Sequence, residues 1–272
     1  MKNYLKPTIV LIAFAATQAI AGIILVVYHV FSTLGPDHLS DMTMISETAS
    51  SYVPDATSLS VAVIVAGLAS VGIALALHTV DMHTAFKPGT PRTRQALLGV
   101  SGALCGIVGM NILSERLELP DLMLQQFIEM ARCPWGIIGM ALVGPLVEEI
   151  IFREAILGHL LRKGTSPKQA IAASALAFAL LHGNPAQVPF ALVIGLILGF
   201  IRYRSGTILL TCLIHIINNS AAVLTMNLAD DPSAVSFSDM LGPLGSAASV
   251  VAGNLLCAVL LWRFNKTTPT AA

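Results

Sequence analysis

Apolar residues gather along this chain in long, nearly uninterrupted runs separated by shorter polar segments. A membrane-spanning helix needs ~20 mainly apolar residues to cross the ~30 Å hydrocarbon core of a bilayer. Two of the runs, 168–183 and 187–201, are short, so we expect them to tilt little or to end below one membrane surface. The pattern predicts eight spans, near residues 7–31, 59–79, 95–114, 134–152, 168–183, 187–201, 207–227 and 240–262.

Composition supports this interpretation. Of the 272 residues, 55% are hydrophobic and only 11% are charged, and the mean hydropathy is +0.78, which is typical of an integral membrane protein. The first run is longer than the ~7–15 apolar residues of a signal peptide, so we expect it to remain as a span. The predicted fold class is an all-α, polytopic helix bundle in the lipid bilayer. Its net charge of zero gives no indication of nucleic-acid binding.

Basic residues fall mostly on one side of the predicted topology. If the N-terminus is cytoplasmic, 13 of the 15 Lys and Arg residues lie at inner ends and loops. The positive-inside rule therefore predicts that both termini are inside. We expect a multi-pass protein of the plasma membrane. Three regions follow: N-terminal spans over 1–133, a candidate catalytic core over 134–230, and a last span with a cytoplasmic tail over 231–272.

The fourth run carries charges at a depth where they are costly. Each charge at the centre of a bilayer costs at least ~2.5–3.5 kcal/mol, so a cluster there is a candidate functional site. Glu149 and Arg153 are four residues apart on one helical face and suit an ion pair. Glu148 is rotated ~100° away and has no partner on its own helix. We expect Glu154 to be a solvated acid at the helix end.

Two further apolar runs carry polar side chains at helical spacing. Phe178 and His182 share one face, and Pro185 stops their helix. His215 and Asn219 share a face of a later span. Each pair has a simpler explanation, because a histidine at a helix end can lie at the interface and asparagines can join helices through hydrogen bonds in lipid.

Taken together, these groups favour a single shared pocket. Polar atoms in hydrocarbon need partners, and three separate helices that each carry polar groups can satisfy one another. Pro145 is expected to kink the fourth span and admit water. The predicted pocket contains Glu148, Glu149, Arg153, His182, His215 and Asn219.

Such a pocket has the parts needed to hydrolyse a peptide bond. A carboxylate and a histidine can activate water, while a second histidine and an amide can donate hydrogen bonds to a developing oxyanion. No serine or cysteine lies within the motifs, which disfavours a covalent nucleophile. Two histidines and a carboxylate also form a common zinc set, here Glu148, His182 and His215. We rank hydrolysis without a cofactor ahead of a zinc mechanism. A transporter is disfavoured, because no internal symmetry is visible.

The three motifs, in this order, resemble those of a known family. They are EExxxR (Glu148, Glu149, Arg153), FxxxH (Phe178, His182) and HxxxN (His215, Asn219). This is the pattern of the CAAX protease and bacteriocin-processing intramembrane proteases, also called the CPBP or Abi family, which includes the type II CAAX prenyl endopeptidases. The resemblance covers about a third of the chain.

The resemblance implies an eight-helix fold with an active site inside the membrane. It implies that Glu148 and His182 activate water and that His215 and Asn219 bind the oxyanion. The family has long been labelled metalloprotease, and a glutamate-driven mechanism is the competing view. We therefore predict an intramembrane endopeptidase whose substrate is a protein or peptide at the membrane, without assuming CAAX cleavage. The alternative is a non-catalytic immunity or scaffold protein with the same fold.

Overall fold

The computed structural model describes residues 2–87 and 93–268, and within these ranges the chain is helical and forms no strand. Two short 3-10 turns cover Pro36–His38 and Pro232–Ala234. The final residues of the predicted cytoplasmic tail, 269–272, lie outside the described residues. The helices are α1 (Lys2–Leu34), α2 (Met42–Ser51), α3 (Ala56–Ala76), α4 (Met82–Ala85), α5 (Thr93–Glu115), α6 (Leu124–Ala131), α7 (Pro134–Arg162), α8 (Pro167–Leu181), α9 (Val188–Ser205), α10 (Leu209–Leu228) and α11 (Phe237–Thr267).

The predicted class, a polytopic membrane helix bundle, is confirmed. Seven of the described helices are long and apolar enough to cross a membrane. The remaining predicted span is α8, which has only 15 residues. At 1.5 Å per residue it is ~22 Å long, less than the ~30 Å thickness of the hydrocarbon core. The expectation that this run ends short of one surface agrees with its length.

The fourth span is longer than predicted. The apolar run suggested an end near residue 152, but α7 continues to Arg162. The sequence-based boundary was wrong because charges at Arg153 and Glu154 resemble the polar end of a span. Both side chains are instead fully buried and paired inside the protein. Buried partners therefore allow the helix to carry charge through its apolar surroundings.

Residues near both ends of the described chain lie at the same end of the bundle. Near the N-terminus, Lys6 Nζ donates to the Leu77 carbonyl at 2.8 Å. Near the C-terminus, Arg204 donates to the Asn265 carbonyl at 2.7 Å. The Thr207 hydroxyl at this end also donates to the Ala85 carbonyl at 2.8 Å. This arrangement fits an even number of crossings; which side of the membrane it faces stays a prediction.

Small residues allow the helices to approach closely. A Cβ on Gly195 of α9 would lie 3.0 Å from the Ala175 Cα of α8. A Cβ on Gly102 of α5 would lie 3.1 Å from Leu260 Cβ of α11. Van der Waals contact of this kind drives helix association in lipid, where the hydrophobic effect is absent. The largest buried cluster surrounds α7, so the helix with the charged motif is also the centre of the packing.

Gly136 allows the tightest of these approaches. A Cβ at this position would lie 1.9 Å from the Met130 carbonyl oxygen, which is backbone and cannot move aside easily. We expect Gly136→Ala to lower the free energy of unfolding by about 1–3 kcal/mol, the usual cost of overpacking. Thermal unfolding in detergent measures the effect.

The matched control is Gly72→Ala on α3, where a Cβ meets nothing within 4 Å. It should be neutral or stabilise the helix by up to about 1 kcal/mol. Equal melting temperatures for the two variants would contradict the proposed clash.

Candidate active site

The charged motif lies on an irregular part of α7. Wide π-type turns cover Gly139–Val143 and Glu149–Gly158, on either side of the α-helical segment Gly144–Glu148. Pro145 has no N–H to donate, so it favours an interruption of the regular hydrogen-bond ladder. Wide turns of this kind are frequent at functional sites. The kink expected at Pro145 therefore takes the form of local widening next to the two glutamates.

His215 of α10 joins the two glutamates of α7. Its Nδ1 lies 3.0 Å from Glu149 Oε1, and its Nε2 lies 3.5 Å from Glu148 Oε2. An ionised carboxylate only accepts hydrogen bonds, so the ring nitrogen beside Glu149 carries the proton. The longer contact at Nε2 leaves Glu148 more loosely held. The two acids thus have different environments although they are neighbours in sequence.

Glu149 and Arg153 form the predicted ion pair in full burial. Arg153 Nε lies 3.4 Å from Glu149 Oε2, and both side chains have no solvent-exposed surface. The guanidinium also donates to Ser174 Oγ at 3.3 Å and lies 4.7 Å from the centroid of the Phe178 ring. The Ser174 hydroxyl donates in turn to the Phe152 carbonyl at 2.7 Å. Sequence analysis did not single out Ser174, because one serine in an apolar helix carries no motif.

Phe178 connects the two histidines. Its ring centroid lies 4.7 Å from that of His182 and 5.8 Å from that of His215. His182 follows the last residue of α8, and its Nδ1 donates to the Phe178 carbonyl at 2.8 Å. A carbonyl only accepts, so Nδ1 carries a proton, and Nε2 is the nitrogen that can accept when the ring carries a single proton. Phe178 belongs to the FxxxH motif but was not among the predicted site residues.

Asn219 attaches α10 to the first wide turn of α7. Its Nδ2 donates to the Met140 carbonyl at 3.1 Å, and its Oδ1 accepts from Asn218 at 3.0 Å. An amide nitrogen has two N–H groups, so a second donor is available. The structure thus brings Glu148, Glu149, Arg153 and His215 into direct contact. His182 joins them through Phe178, and Asn219 through the backbone of α7.

A small cavity opens beside Glu148. Its volume is about 40 Å³, and helices α1, α3 and α7 form its walls. The Glu148 side chain lines it and is 27% exposed, whereas Glu149 is completely enclosed. A cavity of this size has room for water, since one molecule needs ~10–15 Å³.

The candidate metal ligands do not form a complete set. In the part of the chain that the structure describes, no group of three His, Cys, Asp or Glu side chains is arranged to hold a metal ion. Glu148 and His215 face each other, but His182 does not complete a triad with them. Because catalytic zinc needs three protein ligands, we derive no step through a metal. The zinc hypothesis stays a prediction.

The expectation that Glu154 is a solvated acid at the helix end was wrong. The residue is fully buried rather than solvated; its Oε2 accepts from Arg202 of α9 at 2.5 Å, and its Oε1 accepts from Arg162. The expectation failed because one partner comes from a distant helix, and nothing in the local pattern predicts it. Nearby, Asp81 accepts from the backbone N–H of Thr84, which lowers the pKa of that carboxyl and keeps it ionised.

Comparison with known proteins identifies one family. Residues 131–221 match the family model described as Type II CAAX prenyl endopeptidase Rce1-like. The match covers about a third of the chain and includes each of the predicted site residues. No curated protein and no solved structure matched the chain.

Proposed function

We propose that the protein is an intramembrane endopeptidase that activates water with Glu148, because residues 131–221 match the Rce1-like family of type II CAAX prenyl endopeptidases. Its substrate is a peptide bond of a membrane-associated protein or peptide. The observation that carries the proposal is the difference between two adjacent acids. Glu149 is fully buried in an ion pair, whereas Glu148 lines a cavity and, among the described residues, has its polar contact with His215 Nε2 at 3.5 Å.

Glu148 acts as the general base. A base needs a free lone pair within reach of water, and its carboxylate is the partly exposed acid of the doublet. It accepts a proton from water as the oxygen bonds to the scissile carbonyl carbon. It then returns the proton to the leaving amine as the C–N bond breaks, which gives a carboxyl group and an amine and restores the Glu148 carboxylate.

His182 assists from the end of α8. Since Nδ1 donates to the Phe178 carbonyl, Nε2 is the nitrogen left to accept a hydrogen bond from the water. The contact between the Phe178 ring and both imidazoles supports this assignment. His182 therefore orients the water that Glu148 deprotonates.

His215 and Asn219 are the donors to the oxyanion in this proposal. For His215 this requires the imidazolium form, in which Nε2 carries a proton as well as Nδ1. Glu149 accepts the Nδ1 proton of His215, and so orients the ring with Nε2 toward Glu148 and the reacting region. This is how a buried carboxylate orients a histidine in other hydrolases. The second N–H of Asn219 is the other donor. Arg153 neutralises Glu149, so that its charge is compensated within the bundle.

The experiment for this proposal compares peptide cleavage by lipid vesicles with and without the active protein. Purified protein in lipid vesicles is incubated with a peptide library that includes farnesylated CAAX peptides, and the products are identified by mass spectrometry. We call the best-cleaved sequence the reporter peptide.

Exhaustive chelation with a metal assay distinguishes hydrolysis without zinc from a zinc mechanism. Full activity in metal-free protein supports Glu148 as the base without zinc. Loss of activity that Zn²⁺ restores supports the metal alternative.

The non-catalytic alternative makes a different prediction. An immunity or scaffold protein would cleave no peptide from the library and would keep its biological effect after Glu148→Gln. That outcome would overturn the peptidase proposal.

A further inference from the structure

Gln18 lies in an unusual position for a polar side chain. It is halfway along α1, a helix that is otherwise strongly apolar and crosses the membrane. An amide at that depth loses its hydrogen bonds with water and costs several kcal/mol unless it finds partners. Its amide makes no hydrogen bond with any residue in 2–87 or 93–268. The helix therefore carries an unfavourable group that packing does not explain.

Gln18 lines the cavity beside Glu148. Among the described residues that line this cavity, Gln18 and Glu148 are the ones with polar side chains. The other walls are apolar side chains and glycines of α1, α3 and α7. A volume of about 40 Å³ holds water if at least two polar partners are present, and these two side chains supply them.

We propose that Gln18 is a positioning residue for the hydrolytic water, holding it against Glu148. This inference rests on the proposed function. The water donates one proton toward the Glu148 carboxylate and accepts a hydrogen bond from the Gln18 amide N–H. Its second proton is left for His182, and its second lone pair faces the scissile carbon. Proton transfer to Glu148 and bond formation to the carbon then follow. Gln18 neither gains nor loses a proton.

The inference extends the site beyond the matched segment. Gln18 lies outside residues 131–221, in a region where the sequence shows no motif. It also means that α1 contributes a side chain to the reaction. The inner face of α1 packs on α3 and α7, and the ring centroids of Phe14 on α1 and Phe152 on α7 lie 5.6 Å apart. The packing of α1 fixes the distance between the amide and the base.

The test uses the full chain in lipid vesicles with the reporter peptide. Gln18→Leu keeps the size of the side chain and removes its polar atoms. We expect kcat to fall about 10- to 100-fold with KM unchanged, because a misplaced reactant costs rate rather than binding. Gln18→Asn keeps an amide and should recover part of the loss. The melting temperature of Gln18→Leu should not fall, since the change makes a membrane helix more apolar.

Thr17→Val is the matched control. Thr17 is the neighbour of Gln18 on α1, its hydroxyl bonds the Phe14 carbonyl at 2.9 Å, and it does not line the cavity. This variant should keep parental kinetics.

Glu148→Gln in the same assay distinguishes a failure of the Gln18 inference from a failure of the proposed function. If Glu148→Gln is inactive while Gln18→Leu has parental kcat, the role of Gln18 is wrong and the proposed function stands. If Gln18→Leu changes KM alone, the amide binds substrate and not water, which also overturns the inference. Parental turnover in both variants would contradict the proposed function itself.

Discussion

Glu148→Gln is expected to lower turnover of the reporter peptide by about 10²- to 10⁴-fold, the usual contribution of a general base. Glutamine has the same size and keeps the polar contact with His215, but it cannot accept a proton at catalytic strength. The side chain is partly exposed and stands outside the Glu149–Arg153 pair. Folding should therefore be preserved, as checked by thermal unfolding and gel filtration.

Glu47→Gln is the control for removing one acid. Glu47 lies exposed on α2, in the polar segment between α1 and α3, and its loss should leave turnover unchanged. If Glu148→Gln retains more than a tenth of parental turnover, Glu148 is not the base. In that case His182 becomes the next group to examine, because its Nε2 is the other acceptor near the site.

Arg153→Met is expected to give the largest loss of stability. The change leaves the Glu149 carboxylate buried with its cation removed, which costs about 3–5 kcal/mol when one partner of a buried pair is deleted. It also removes the donor to Ser174 and the contact with the Phe178 ring. Unfolding in mixed detergent micelles measures the free energy of unfolding, and the reporter peptide measures activity.

The double variant Glu149→Gln, Arg153→Met distinguishes the effect of an uncompensated buried charge on stability from the effect of losing the Glu149 carboxylate on activity. Replacing both partners removes the uncompensated charge, so stability should recover by most of the loss seen in the single variant. Activity should stay low, because His215 loses the carboxylate that accepts its Nδ1 proton. A single variant as stable as the parent would show that the buried ion pair does not support the fold.

Local patterns were sufficient to predict much of this molecule. Apolar runs predicted the membrane helices, since lipid requires long segments whose backbone bonds are satisfied internally. The i,i+4 spacing predicted the Glu149–Arg153 pair, which the structure contains. The same logic placed His215 near the acids, because polar groups on separate helices in hydrocarbon must find one another.

Contacts between distant parts of the chain could not be predicted in this way. The pairing of Glu154 with Arg202 joins residues 48 positions apart, and no periodicity encodes it. Ser174 and Gln18 belong to no polar motif of their apolar helices, so only their neighbours in space reveal what they face. The length of α7 was missed for a related reason: buried partners neutralise charges that, read locally, mark the end of a span.

The shortness of α8 has a consequence for any polypeptide that binds here. At ~22 Å, α8 cannot reach both surfaces of the hydrocarbon core. We expect the end that carries His182 to be the one below the surface, so that an incoming chain would have to enter the bundle to meet it. In an α-helical segment, each backbone carbonyl accepts a hydrogen bond from the amide four residues further on, so no carbonyl is free for attack by water. If the protein is the peptidase proposed above, we expect its targets to have a cleavage segment that unwinds readily, with glycine, proline or asparagine near the cleaved bond.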